Sequence, residues 1–534
     1  MIRFVSLLAV ALCLLAWPHL YAAEQLLNGQ KFTLPDGFKI ELVAASPLVD
    51  RPITADFDEQ GRLYVADSSG SNDPVQKQLD ERTHRIVRLE DLDGDGKFDK
   101  SIVFADKMMF PEGTLWYDGS LYVAAPPSIW KLTDTNGDGV ADKREEWFAG
   151  KTLTGCANDL HGPYLGPDGW IYWCKGAFAE QTYEQPGKKP LVTKASHIFR
   201  RRADGTGPIE NVMTGGMDNP VDVVFTLGGE RLFTTTFLQN PGGGLRDGII
   251  HAVYGGVYGK VHNVTDFHPR TGELLPPLIH MGAAAPCGLV RAESKAFSTR
   301  DRENVFACQF NMHKVSRHEL KPAGATFEST DSDFVVSDNI DFHPTDIIED
   351  ADDSLVICDT GGWYKLCCPT SQLSKPDVLG AIYRVRRESQ RSTEDPRGAR
   401  IRWDELKAAE LAQLLDDNRF AVRQRAIHLL GRKGMDAVKA LEPILRVGED
   451  GTVLNEADLV DPSKGARRRR ASETARLNAI WTLTRVDLPE ARALVRGALY
   501  DPSLTVRQAS LQSVSLWRDH AAMPEVLQLL NICH

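Results

Sequence analysis

Between Arg51 and Cys358 the hydrophobic and polar positions follow one grammar, read six times: a polar lead-in marked by Pro or Gly, an apolar run, a turn and an alternating strand. The turn-plus-strand cores are Gly61 to Asp67, Gly119 to Ala124, Gly169 to Trp173, Gly229 to Thr235, Asn304 to Cys308 and Ser354 to Cys358. Apolar alternation bounded by Gly, Pro, Asn and Asp predicts strands. A recurrence every ~50 to 75 residues suits four-stranded sheets set around an axis, so the chain predicts an all-β six-bladed propeller. An irregular β-sandwich is the competing reading.

Each core follows a similar lead-in: Arg51-Pro52, Phe110-Pro111-Glu112-Gly113, Asp159-Leu160-His161-Gly162, Asp218-Asn219-Pro220, Ala285-Pro286-Cys287-Gly288 and His343-Pro344-Thr345. In a propeller these positions ring the central channel, however distant in sequence. Phe38 to Ala44 also alternates, and the strand from Gly380 to Val385 is expected to close the ring against it, since an open blade leaves exposed edges.

The period changes near Trp403. Leu406, Leu411, Leu414 and Leu415, then Val422, Ala426, Leu429 and Leu430, follow helical spacing. Asp416-Asp417 before Val422-Arg423 and Asp501-Pro502 before Val506-Arg507 mark the same place in two helix pairs, a pattern that resembles HEAT-type repeats. The expected organisation is a signal peptide at 1–23, the propeller at 24–387, a linker at 388–402 and all-α HEAT-like repeats at 403–534. A last helix pair ending at His534 without a polar cap points to a fragment, or to a further C-terminal domain.

Composition adds bounds. At 534 residues the chain exceeds what one core fills, and 42% hydrophobic with 25% charged residues is ordinary for a globular protein. A formal charge of -11 argues against nucleic-acid binding. The basic run Arg467 to Arg470 reads as a solvated loop or helix end. Arg3, the apolar stretch Phe4 to Trp17 and the small pair Ala22-Ala23 form an export signal, which predicts a periplasmic or cell-envelope protein; retention as an anchor is the alternative.

Export permits disulfides. Cys156 with Cys174, and Cys287 with Cys308, flank repeats in the same manner, so a disulfide closing each is expected, and Cys367 or Cys368 is placed to reach Cys358. Cys533-His534 lacks the second Cys that haem attachment needs, since position 530 is Leu530, so haem is not supported.

Two acidic loops carry calcium chemistry: Asp91, Asp93, Asp95, Gly96 and Asp99, then Asp134, Asn136, Asp138, Gly139, Val140 through its carbonyl, and Asp142. Hard cations need clustered oxygens, and Gly at the sixth place permits the bend. Glu145 completes the second pattern at position 12, where the first has Ile102. The flanks look like strands, so these are expected as hairpin loops; without metal they are Asp/Gly turns.

His161 is the candidate general base, because its ordinary pKa lies near working pH, and Asp159 is placed to orient it. Arg51, Glu112, Asn219, His343 and Asp346 occupy matching lead-ins and are candidates for binding substrate, cofactor or metal, with a turn or capping role as the alternative for each. No Gly-rich phosphate loop, Gly-x-Ser-x-Gly elbow or paired-Cys zinc pattern is present.

The segments Gly216-Met217-Asp218-Asn219-Pro220, Ala285-Pro286-Cys287-Gly288-Leu289, Gly166-Pro167-Asp168-Gly169 and Asp359 through Gly361, Gly362, Trp363 and Tyr364 to Ser371 together resemble the PVC-type membrane-bound dehydrogenase family, over about Phe38 to Arg387. That family's propeller is similar to the soluble quinoprotein glucose and sorbosone dehydrogenases, which use pyrroloquinoline quinone and calcium. The resemblance implies oxidation of a sugar or related alcohol, with His161 taking the hydroxyl proton, Asn219 and Pro220 matching an Arg-Asn-Pro motif that contacts cofactor and substrate, and electrons passing to a cytochrome c. Asp218 stands where that motif has Arg, which predicts weaker binding of a tricarboxylated quinone. Two other classes compete. One is a non-catalytic scaffold that binds glycans or proteins, with the HEAT-like region as a protein-docking surface. The other is a metal-dependent lactonase whose axial cation is held by Glu112, Asn158, Asn219 or Asp346.

Overall fold

The computed structural model describes residues 23–155, 160–185, 187, 189–238, 245–297, 303–363, 374–389, 393–446 and 471–532. Six antiparallel sheets are each built on four strands. The innermost strands are Pro52–Phe57, Gly113–Tyr117, Leu160–Leu165, Asn219–Phe225, Pro286–Arg291 and Pro344–Glu349. Each touches the next, and the sixth touches the first. The ring is therefore a closed six-bladed β-propeller, as the lead-in spacing predicts.

The six cores are the second strands of the blades, and their apolar residues fill the seams: Val65, Val123, Ile171, Phe233, Ala307 and Ile357 are fully buried. Burying each such side chain is worth roughly 1.5–3 kcal/mol, less for alanine, so the stacked seams hold the ring. Closure comes from Phe38–Ala45, which pairs with Ala381–Arg387 as the outer strand of blade 6, from Ala381↔Ala45 to Arg387↔Phe38. An N-terminal hairpin, Ala23–Leu27 and Gln30–Leu34, extends blade 5 through Phe32↔Ser337.

Five inner strands carry a bulge after their first ladder positions, following Pro52, His161, Pro220, Pro286 and Pro344. Proline has no N–H to lose there, and a bulge re-aims the residues beside it. Blade 3 holds His161 where the other four hold proline. Carboxylates stitch neighbouring blades: Asp222 Oδ2 accepts the Leu289 N–H at 2.7 Å, Asp346 Oδ2 the Ala55 N–H at 2.8 Å and Asp56 Oδ2 the Trp116 N–H at 2.6 Å.

The bulge in blade 5 corrects one expectation. Cys287 and Cys308 are free thiols, as are Cys174 and Cys358. The bulge turns Cys287 out of the ladder, so that its thiol faces the Pro344 carbonyl of blade 6 at 3.2 Å, while Cys308 is sealed in the core. Cys156, Cys367, Cys368, Cys533, the run Arg467 to Arg470 and the apolar stretch Phe4 to Trp17 lie outside the described residues. Among the described residues no helix is long and apolar enough to cross a membrane.

Helices Ala408–Gln413, Phe420–Leu430, Met435–Leu445, Glu473–Thr484, Pro489–Gly497, Leu504–Trp517 and Met523–Ile532 form the C-terminal region. Together with the segment that leads into them, which carries Arg397, they lie against the propeller end that carries the turns between first and second strands, and all six turns are engaged. Arg397 reaches the Asp58 carbonyl at 3.1 Å and the Asp350 carboxylate, Arg432 the Asp118 carboxylate, and Arg485 the Pro167 carbonyl at 3.2 Å. The Trp481 indole N–H donates to the Leu227 carbonyl at 3.1 Å, and Arg423 pairs with Glu293 at 3.8 Å. A Cβ on Gly229 would stand 2.5 Å from the Trp481 ring, so that turn is fitted to the indole.

Candidate functional site

All inner strands run in one sense, so the lead-ins gather at the channel end opposite the helices. Glu112 is placed there by its backbone N–H, which donates to the Ala124 carbonyl at 2.8 Å, and His161 by its ladder pairing with Cys174. Blades 2 and 3 meet closely at this point: a Cβ on Gly113 would fall 1.8 Å from the Gly162 carbonyl oxygen, so only glycine fits. That approach brings His161 Nδ1 to 3.6 Å from Glu112 Oε2, with side chains 13% and 5% exposed. A buried imidazole facing a carboxylate can accept a proton and hold the resulting charge. Asp159, the expected orienting residue, lies outside the described residues. Among the described residues, Glu112, a binding candidate from its lead-in, is the carboxylate that faces His161.

The other candidates divide. Asn219 opens blade 4 beside Asp218, and its carbonyl accepts the Thr235 hydroxyl at 2.9 Å. Asp218 is ion-paired with Lys260 at 2.9 Å. His343 is held structurally: its N–H donates to Asp359, Nδ1 lies 2.8 Å from the Gly361 carbonyl, and its ring packs on Phe310. Burial pushes its pKa down to about 4, so it stays neutral. Asp346 sits deeper, two residues inside its strand, where burial raises its pKa to about 7. Its oxygens accept the Ala55 and Ile347 N–H groups, so it acts as a seam residue. Asp222 faces it electrostatically, and burial followed by the Asp346 charge raises Asp222 well above the carboxylate range. Arg51 is 8% exposed, its backbone N–H donating to Asp67 Oδ1 at 2.7 Å.

Sequence reasoning missed Lys175, which is 1% exposed at the end of the second strand of blade 3 and donates to the Gly176 and Ala195 carbonyls at 2.8 and 3.1 Å. A lysine closing the otherwise apolar run Trp170 to Cys174 was the available signal. Lys260 had none, being brought to Asp218 only by the fold.

The acidic loops join third to fourth strands in blades 1 and 2, so both are hairpin loops. Their carboxylates accept backbone N–H groups: Asp91 those of Gly94 and Gly96, Asp134 those of Gly137 and Gly139, Asp95 that of Lys97, and Asp138 that of Val140, while Asn136 accepts from Asp138. Gly96 and Gly139 have positive φ, and an arginine of the preceding blade, Arg386 or Arg88, packs on each. Among the described residues, Asp91, Asp93 and Asp99 bring three carboxylates within 4.8 Å of one another. In the second loop Asp142 is taken by Thr135, and Glu145 lies in strand Lys143–Ala149, ion-paired with Lys143 at 2.9 Å.

Residues 26–391, more than half of the sequence, match the family described as a domain of unknown function, DUF7133. The chain belongs to the DUF7133 family. No curated protein matches it. Solved structures similar to this DUF7133 protein include a glucose dehydrogenase-type oxidoreductase from Thermus thermophilus, at 16% identity and TM-score 0.44, covering 65% of this chain and 100% of that one. Another is the holo form of the pyranose dehydrogenase PQQ domain from Coprinopsis cinerea, at 12% identity and TM-score 0.44, covering 67% and 97%. A calcium structure of a Trichoderma reesei protein of carbohydrate-active enzyme family AA12, at 12% identity and TM-score 0.43, covers 67% and 97%.

Proposed function

We propose that the lead-in end of the channel is the active centre of an exported oxidoreductase that oxidises a sugar or related alcohol, of the quinoprotein glucose and sorbosone dehydrogenase type that the PVC-type resemblance implies. The observation that carries this reading is the His161–Glu112 contact at 3.6 Å across the seam between blades 3 and 2. With Nδ1 facing Glu112, His161 takes the substrate hydroxyl proton at Nε2, and the Glu112 carboxylate stabilises the imidazolium that forms. Asn219 positions the substrate or the cofactor from blade 4.

Pyrroloquinoline quinone, when bound, supplies a two-electron hydride acceptor. The charge balance supports its fit: Lys260 neutralises Asp218 beside Asn219, which offsets the repulsion expected from replacing an arginine there. Arg51 would hold one of its carboxylates. Calcium is proposed at Asp91, Asp93 and Asp99, the loop that gathers its carboxylates, as a brace for blade 1. Electrons then leave to a cytochrome-like acceptor, with the C-terminal helices, read as HEAT-like, as the surface for a protein partner.

The test is to reconstitute the purified protein with quinone and calcium and follow dye reduction over a panel of sugars. Turnover that is lost in His161→Ala and in Glu112→Leu is expected; absence of quinone binding by titration sinks the redox reading.

A further inference from the structure

Buried cations are paired with anions in folded proteins, because an isolated charge in a low-dielectric interior is costly. Arg51 breaks this rule. Its guanidinium packs on Gly70, where a Cβ would stand 2.9 Å from Cζ, and among the described residues it makes one side-chain hydrogen bond, from Nη2 to the Pro376 carbonyl at 2.5 Å. Nε is buried without a partner, and no carboxylate of the described residues pairs with the group. The nearest acids along the chain are engaged elsewhere: Asp50 and Asp67 are both bound by Arg85, at 3.1 and 2.6 Å.

Two further donors on the same junction between blades 6 and 1 are buried without partners among the described residues, the Thr360 hydroxyl and the Trp363 indole N–H, in residues 1% and 3% exposed. Both belong to the segment that returns past Arg51. Gly380 donates to the Asp50 carbonyl at 2.8 Å, and a Cβ on it would lie 2.8 Å from the Thr360 carbonyl carbon. Trp363 packs in the apolar cluster that includes Ile53, two residues after Arg51. Among the described residues, the junction therefore has buried donors, one of them cationic, that no carboxylate accepts.

From these observations we infer that Arg51 is a receptor for an organic carboxylate, bound by its planar guanidinium at the junction of blades 6 and 1. A planar fork of N–H donors matches a carboxylate in charge and shape, and completes the pairing that the protein leaves open. The carboxylate belongs to an acidic sugar such as a uronate or to the quinone; that assignment rests on the sugar-oxidoreductase reading, whereas the receptor does not.

Thermal unfolding of the full chain tests this without reference to turnover. D-glucuronate or pyrroloquinoline quinone at saturation is expected to raise Tm by about 2 °C or more in the wild type and in His161→Ala, and to leave Arg51→Met unshifted. A shift with glucuronate identifies the substrate as the source of the carboxylate, and one with quinone alone identifies the cofactor. D-glucose should give no Arg51-dependent shift. Ligand-free Arg51→Met and Arg51→Gln should melt at or above the wild-type temperature, because an unpaired buried charge is removed. The inference is overturned if neither carboxylate raises Tm, if Arg51→Met keeps the shift, if sodium sulfate at equal ionic strength reproduces it, or if the ligand-free variants melt several degrees lower or do not fold. Loss of dye reduction with the shift retained would remove the oxidoreductase reading and leave the receptor standing.

Discussion

His161 and Glu112 belong to different blades and face each other at 3.6 Å, because the glycines that follow them, Gly162 and Gly113, let the two backbones approach more closely than any side chain would permit. The contact is thus a property of the seam as much as of the two residues. His161→Ala should lower kcat for dye reduction by ~10²–10⁴-fold, the usual range for loss of a general base. Glu112→Gln should lower it less, by roughly tenfold, with KM little changed in both, as steady-state kinetics would read.

Gly113→Ala tests the seam itself. Its added carbon must displace the Gly162 backbone, since no flexible side chain is available to yield. A loss of ~1–3 kcal/mol by urea unfolding is expected, in the range of overpacked cores, together with a fall in kcat even though both catalytic side chains remain.

Stability should fall as pH rises from about 4 to 7. Burial holds Asp56, Asp346, Glu349 and Asp359 near pKa 7 in the folded chain, against about 4 unfolded, so within that window the folded state binds more protons and each group withdraws stability as pH increases. His343 and His428, pushed down to about 4 chiefly by burial, act in the opposite direction below about 6.5. Asp346→Asn, whose amide oxygen can keep the Ala55 N–H bond, should flatten the decline between pH 5 and 8 by ~1–3 kcal/mol. Urea midpoints at the two pH values measure it, and an unchanged slope would remove Asp346 from the account.

Trp481→Ala should loosen the helical region from blade 4. The indole is 5% exposed, lies against Gly229 and donates to Leu227. Truncating a buried aromatic costs ~3–5 kcal/mol, and here the loss falls on the contact between regions. Calorimetry should resolve a helical transition below that of the propeller, where the wild type melts more nearly as one.

Asp91→Ala should abolish a calcium-dependent rise in Tm, while Asp134→Ala should leave most of it. The two loops have nearly the same sequence grammar, yet only the first gathers three carboxylates among the described residues.

Much of the propeller is legible in the sequence because the second strands are buried on both faces and follow tight turns, marked by glycine in blades 1 to 4 and by Asp and Ser in blade 6, so Leu63 to Asp67 or Leu355 to Asp359 stand out as short apolar runs. The lead-ins are legible for the same reason, being what precedes each run. The meeting of His161 with Glu112 is not, since it depends on how two glycines in different blades pack. The expected Cys287–Cys308 bridge failed at a bulge, a one-residue change of register that spacing does not reveal. The docking of the helices had a signal that periodicity alone obscures: Glu473–Thr484 buries nine of its residues, from Ala475 to Thr484 with one gap, and so has no solvent face to spare.

The pairing of Phe38–Ala45 with Ala381–Arg387 also sets an order of events during synthesis. The first strand leaves the ribosome long before its partner exists, and at ~5–20 residues per second it waits on the order of tens of seconds with an apolar edge unmatched. Blades 1 to 5 can stack in that interval, but the ring cannot shut until Arg387 has been made. Arg397 and the helices, which between them engage its six turns, follow only afterwards, so they lock a circle already drawn closed. A nascent chain stalled before Ala381 would present both cut edges at once, which makes that stage the one at which two copies are most apt to close each other's rings.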